Sequence, residues 1–272
     1  MNHEPPRPGK GRFLQPTVIL DTVKYLAVVG ALTWLLAAGS DRLGYNWQWY
    51  QIPQYLWTTT DDGFQWGKLM LGLGVTFRIT IWSLILAFVV GLGSALMRQS
   101  DSWAARGVAR AYMEIIRNTP LLIQIFFLYF VIAPILDISA FWSAVLALSL
   151  FEGAYASEIF RAGITSIDTG QFEAAKSLGM NGFAMYRHII LPQAIRRILP
   201  PLTGQAVSLV KDSALVSTIA IFDLTMQGMS IISETFLTFE VWFTVAAIYL
   251  AVTLTLSGAV RVMERRFGNT TA

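Results

Sequence analysis

Four ionisable side chains lie inside stretches that are otherwise apolar: Arg78, Glu152, Lys211 and Asp212. Near the centre of a bilayer each costs about 2.5–3.5 kcal/mol to insert, so such groups turn towards a partner or a wet cavity. Glu152 has Ser149 and Tyr155 three residues to either side and Ala156 four on, which gives a small polar stripe on one helix face. Gln205, Ser208 and Asp212 share another face at i, i+3 and i+7, with Lys211 at its border. The chemistry open to these groups is charge recognition. Glu152 can form the wall of a pathway that holds an α-ammonium or a basic side chain. It can equally form a buried ion pair with Arg78 or Lys211 that fixes packing. Lys211 and Asp212 suit a gate or helix packing alike, and Arg78 suits a side chain that snorkels outward. Gln124, one turn past Pro120, is a further polar contact for cargo.

Bond-making chemistry has no such basis. No nucleophile–base constellation stands out, and the phosphate-cradling pattern G-x-x-x-x-G-K-[ST] is absent. There is no cysteine, which excludes disulfides and thiolate metal sites. His3 and His188 have no zinc-ligand spacing. No metal and no nucleic-acid partner is expected.

The elements that must position the charged residues are membrane spans. Of 272 residues 54% are hydrophobic and 14% charged, against roughly 25% charged in soluble domains. Apolar runs long enough to cross a bilayer recur along the chain. The expected fold is all-α, a polytopic membrane protein with six spans near residues 23–39, 69–97, 111–134, 140–160, 199–221 and 240–260. Lys and Arg gather on one side of these spans: Arg7, Lys10, Arg12 and Lys24; Arg98, Arg106, Arg110 and Arg117; Arg161, Lys176, Arg187, Arg196 and Arg197; Arg261, Arg265 and Arg266. The other side has Arg42 and Lys68. Basic residues accumulate in cytoplasmic segments, so both termini are expected in the cytosol. Residues 1–22 form a Pro-rich basic arm of disordered composition. Residues 23–67 hold the first span and an outer loop with Trp47, Trp49, Trp57 and Trp66, side chains suited to the membrane–water boundary. Tyr25–Ala38 followed by Gly39 and Ser40 has the look of a signal peptide, but the long polar arm before it favours a retained anchor.

One polar segment interrupts the apolar pattern, residues 163–198 between spans four and five. Asp168 can cap a helix with Gln171 in the reciprocal position. "QFEAAKSL" supplies helix formers, and Gly179 supplies a left-handed cap. Asn181 can cap a second short helix, "GFAMYRHII", which Pro192 ends or kinks. Phe172, Ala175, Leu178, Met180 and Phe183 are too many apolar residues for a solvated loop. The expectation is two short, angled helices that offer apolar surface to a partner or pack under their own bundle.

This segment resembles the EAA motif of ATP-binding-cassette import permeases, with Glu173, Ala174, Ala175, Gly179, Ile189, Leu191 and Pro192 at its fixed positions. "RNTPLLIQIFFLYF", "AYASEIFRAGI", "QFEAAKSLGM" and "VKDSALVSTIA" are similar to the polar amino acid branch, the histidine/glutamine/glutamate-type permeases. The resemblance covers residues 68–266, a five-span permease domain, and leaves the first span, the Trp-rich loop and the 267–272 tail outside it. It implies a coupling helix within 163–198 that docks on a separate ATPase, which binds ATP and Mg as a dimer. It also implies a second permease copy or paralogue, an external amino acid binding protein, and a bacterial inner-membrane location. Cargo would be a polar L-amino acid, or a related compound such as an opine or cystine. An ion-coupled carrier or channel that uses Glu152 and Asp212 as ion sites is the alternative.

Overall fold

The computed structural model describes residues 16–60 and 63–268. Residues 1–15 of the basic arm and 269–272 of the tail lie outside them. The chain forms two units, residues 1–48 and 49–272. In the first, α1 runs from Pro16 to Leu43, 28 residues that contain the expected first span and start seven positions earlier. Residues 20–35 of it are exposed on all faces.

The second unit opens on a small outer cap. A short helix α2 (Pro53–Leu56) leads into a hairpin of β1 (Trp57–Thr60) and β2 (Gly63–Trp66), with Trp57 opposite Trp66. Sequence reasoning treated this stretch as loop. Its signal was three consecutive threonines before Asp-Asp-Gly, since β-branched residues ahead of a Gly turn favour a hairpin. Ile52 anchors the cap in a cluster with Leu69, Leu224, Ile231 and Leu237, and the ring of Trp49 lies 6.3 Å from that of Phe243.

Three helices are long and apolar enough to cross a membrane by themselves: α3 (Lys68–Gln99), α7 (Ala140–Thr165) and α12 (Thr238–Gly268, over Thr238–Val262). They coincide with expected spans. The other two expected spans are bent pairs. The third does not run straight through 111–134. Helix α4 (Trp103–Arg117) meets α5 (Leu121–Phe126) and α6 (Ala133–Leu136) at a 109° bend. Pro120 is the reason, because the residue before a proline leaves the helical region and the ring ends the hydrogen-bond ladder. The fifth begins earlier than 199. Helix α9 (Gly182–Met185) passes through a π turn (Tyr186–Ile190) into α10 (Leu191–Asp212) and a 3₁₀ turn ending at Ile219. After a 48° bend the chain continues as α11 (Leu224–Thr235). Pro192 therefore does not end the second short helix. The i−5 bond from Leu191 N–H to Tyr186 O shows how: the wider turn shifts the carbonyls that the proline ring would otherwise meet. A second π turn, Phe127–Ile132, prepares Pro134 in the same way.

Helices α3 and α7 pack most extensively. A Cβ on Gly91 would sit 2.8 Å from the Ala156 Cβ and 2.9 Å from the Gly153 O, so only glycine permits this approach. Small residues at such crossings are how membrane helices gain dispersion contact when lipid removes the hydrophobic drive. Three apolar clusters stack along the bundle. One lies under the outer cap. A middle one holds Ile79, Ile125, Val145, Leu148 and Leu209. A third joins Ala156, Phe160 and Ile198 to the polar segment.

Candidate functional site: a docking elbow and an acidic cavity

The polar segment folds into an elbow at the end of α7. Asp168 caps α8 (Thr169–Ser177) by accepting from Gly170 N–H at 2.7 Å. Gln171 does not close a capping box; its side-chain oxygen accepts from Gln193 Nε2 at 3.2 Å and ties the elbow to α10. Gly179 has φ +71°, and the chain stops in a Schellman arrangement: Gly179 N–H to Lys176 O at 2.9 Å, Met180 N–H to Ala175 O at 3.1 Å. Asn181 Oδ1 then accepts from Ala184 N–H at 2.8 Å and starts α9. Arg197 donates to the Ser166 O, closing the elbow against the end of α7.

The apolar residues of the elbow divide by direction. Ala175 is fully buried with Met185, Ile190 and Ala194, and Phe172, Met180 and Ile189 are half-buried against them. Leu178 and Phe183 point away, 78% and 77% exposed. Glu173, Ala174, Leu191 and Pro192 are exposed beside them. The inward residues give the elbow a fixed shape. The outward ones form an apolar pair on either side of the Gly179 turn, rimmed by Glu173 and Lys176.

Deeper in the bundle, Glu152 is buried on α7 and lines a cavity of about 170 Å³ with Leu84, Phe88, Thr203 and Gln205. Asp212, half-buried, lies within hydrogen-bonding reach of the Glu152 carboxyl. Glu152 Oε2 has no hydrogen-bond partner among the described residues. Thr203 and Gln205 are the other polar side chains of the lining, and Asp212 is not part of it. Neither expected cation pairs with Glu152. Arg78 is exposed, with its guanidinium 5.7 Å from the Phe141 ring centroid. Lys211 is exposed next to Asp212, and Ser208 is half-buried on the same helix. Ser149 donates to the Val145 O of its own helix, so its hydroxyl adds nothing to the cavity.

Gln124 lines a cavity with Ile115, Ile116, Thr119 and Phe127, and its amide also holds the bend. Its Nε2 donates to Ile116 O (2.8 Å), Thr119 O (3.0 Å) and Thr119 Oγ1 (2.9 Å). It satisfies carbonyls that the Pro120 bend leaves without helical partners. Sequence reasoning missed Glu158. Its carboxylate holds Arg98 (2.7 Å), Arg161 (2.9 Å) and Arg117 (3.5 Å) and so joins α3, α4 and α7. Only the i, i+3 spacing to Arg161 was visible in the sequence.

The profile of binding-protein-dependent transport system inner membrane components matches residues 83–269. The chain belongs to this family. It is a permease component of a transport system, with the membrane fold of that family. The glutamine transport system permease protein of Escherichia coli K12 is 38% identical over 201 residues, 73% of this chain and 92% of that one. The octopine transport system permease protein of Rhizobium radiobacter is 35% identical over 222 residues, 78% and 88% of the two chains. A crystal structure of an amino acid ABC transporter with histidines superposes with TM-score 0.69 at 41% identity, over 73% of this chain and 94% of that one. A methionine ABC transporter at 20% identity and TM-score 0.64 shares the fold. The family match leaves α1 and the outer cap outside it.

Proposed function

We propose that this chain carries a polar amino acid into the cytosol as the membrane subunit of an ATP-driven importer. A separate ATPase docks on the elbow and supplies the energy. One observation carries the reading: the segment that fills every EAA position projects Leu178 and Phe183, two large apolar side chains, from a turn whose own core is closed. A rigid apolar pair with a charged rim is a surface made for a protein groove. The uneven distribution of Lys and Arg supports a cytosolic elbow and cytosolic termini. An external binding protein would present cargo to the opposite face, and the pathway would form between this chain and a second copy or paralogue.

In this reading Glu152 and Asp212 contact the cargo's ammonium group, with Gln205 and Ser208 beside them. ATP binding closes the ATPase pair, the elbow follows, and α10 shifts against α7 at the acidic cavity. Reversing a 1:99 population of inward- and outward-facing states needs about 5.5 kcal/mol of differential binding. Two nucleotide sites are enough to supply that. The relatives favour glutamine-like cargo, and the octopine permease supports an opine as the second reading. An acidic wall suits either, since both carry a cationic nitrogen.

The test is gentle affinity purification of the chain from its own membrane, with every co-purifying polypeptide identified and uptake measured in proteoliposomes. A P-loop ATPase in the complex and uptake that stops without ATP are the expected results. Uptake by the chain alone that follows a proton gradient would refute the reading and restore the ion-coupled alternative.

A further inference from the structure

Helix α4 does not serve the docking elbow or the acidic cavity, yet its pattern is sharply two-sided. Arg106, Arg110 and Arg117 follow at i, i+4 and i+11, within an arc of about 40° at 100° per residue. Val108 and Ile115 lie roughly opposite that arc. They are 60% and 63% exposed, and Trp103 at the first turn is 82% exposed. Ala109 and Met113, on a third side, are buried in the bundle. The 109° bend at Pro120 turns this helix away from the direction of the span that follows. An amphipathic helix set across a span, with arginines on one edge, Val108 and Ile115 on the other and Trp103 beside the arginines at its first turn, suits the boundary between headgroups and acyl chains.

The basic edge also frames a pocket. About 360 Å³ of space is lined by Arg98, Arg110, Glu114, Arg117, Tyr155 and Glu158. Glu158 occupies Arg98, Arg117 and the adjoining Arg161, and Glu114 accepts from Asn118 Nδ2 at 2.9 Å. Arg106 donates to Ser100 O and Asp101 O and closes the turn into α4. Arg110 enters none of these bonds. Three lining guanidiniums against two carboxylates leave a net charge of one positive, and Arg161 adjoins them through Glu158. Arginine forks match phosphate oxygens in pairs.

We propose that α4 lies in the cytosolic leaflet's interface and that this pocket binds the phosphate of an acidic phospholipid, with Arg110 as its free contact and Val108 and Ile115 among the acyl chains. The proposal depends on the family reading for the membrane and on the sidedness argued above for the choice of leaflet.

The chain has no cysteine, so Val108→Cys and Ile115→Cys each create a single labelling site. The full-length protein, purified with its partners, carries an environment-sensitive fluorophore at one of them. It is reconstituted in phosphatidylcholine vesicles with doxyl-labelled phosphatidylglycerol or doxyl-labelled phosphatidylcholine as quencher. Both lipids quench in the expected result. Phosphatidylglycerol has the higher affinity by about fivefold for each basic contact, following the attraction of one basic residue to an acidic surface. Arg110→Gln reduces that preference about fivefold and leaves quenching by doxyl-phosphatidylcholine unchanged. No quenching by either lipid overturns the proposal, because a second copy of the chain or water would then cover the apolar edge. Equal quenching by the two lipids overturns the headgroup site. Loss of the preference in inorganic phosphate, but not in chloride of equal ionic strength, assigns the pocket to free phosphate and also overturns it. Sidedness is read separately, from Asp101→Cys at the exposed turn into α4 with an impermeant thiol reagent: reaction in inverted vesicles is expected, and reaction in right-side-out vesicles alone overturns the choice of leaflet.

Discussion

The sharpest prediction concerns Leu178 and Phe183. Complete burial of a Leu or Phe side chain stabilises by about 1.5–3 kcal/mol. With 78% and 77% of these residues exposed in the free chain, roughly three-quarters of that gain, about 1–2 kcal/mol each, is left for docking. Leu178→Ala or Phe183→Ala alone should therefore weaken association with the ATPase about 5–30-fold. The double variant should lose about 2–4 kcal/mol if the two act independently, on the order of 30- to 1000-fold. Neither side chain belongs to the buried cluster of the elbow, so folding should survive. The assay is titration of the purified permease with its ATPase in detergent, beside the unfolding temperature of each variant. Uptake and cargo-stimulated ATP hydrolysis should fall together in proteoliposomes. A double variant with unchanged association and uptake would refute the docking surface, whatever the motif suggests.

Three further outcomes follow from the same geometry. Glu152→Gln keeps the volume but removes a charge beside the cavity; uptake should drop about 10–100-fold, the worth of one charged hydrogen bond, at constant unfolding temperature, and unaltered uptake would remove Glu152 from the pathway. Gly179→Ala places a Cβ at φ +71°, a cost of about 1–2 kcal/mol, so amide hydrogen exchange in Thr169–Met185 should quicken about 5–30-fold; unchanged exchange would mean the turn can re-form another way. Ala175→Leu overfills a site with 0% exposure and should destabilise by about 1–3 kcal/mol, visible as a lower unfolding temperature; a stable variant would show that the elbow is not closed.

Local signals carried much of this structure. Asp168, Asn181 and Gly179 act as caps where their side chains or lack of one predict it, because capping depends on a few neighbouring residues. The three straight spans were legible from apolar length. Pro120 marks the place of the bend in the sequence, but a proline shows where a helix breaks and not how far the pieces turn. The two π turns ahead of Pro134 and Pro192 had no signal of their own, so of the two readings of Pro192, an end or a kink, the ending did not hold. Contacts between helices were the least legible. Glu152 meets Asp212 and not Arg78 or Lys211, and Glu158 gathers three arginines, because azimuth and tilt decide which residues of two helices meet. Gln124 had the expected polarity, but the bend that uses it was not foreseeable from its position.

The continuity of Gly182–Ile219 has a mechanical meaning. A π turn admits Pro192 without ending the helix, so the elbow and the helix beside Glu152 form one lever whose softest point is Pro200–Pro201. At about 1.5 Å per residue the distance from Gly182 to the Gln205–Asp212 stretch is roughly 35–45 Å. A tilt of about 5° at the elbow then sweeps the Asp212 end through about 3–4 Å over that length. That displacement is the size of an ammonium group. If the proposed ATPase tilts the elbow, whatever part of that sweep Pro200–Pro201 does not absorb moves Asp212 away from Glu152.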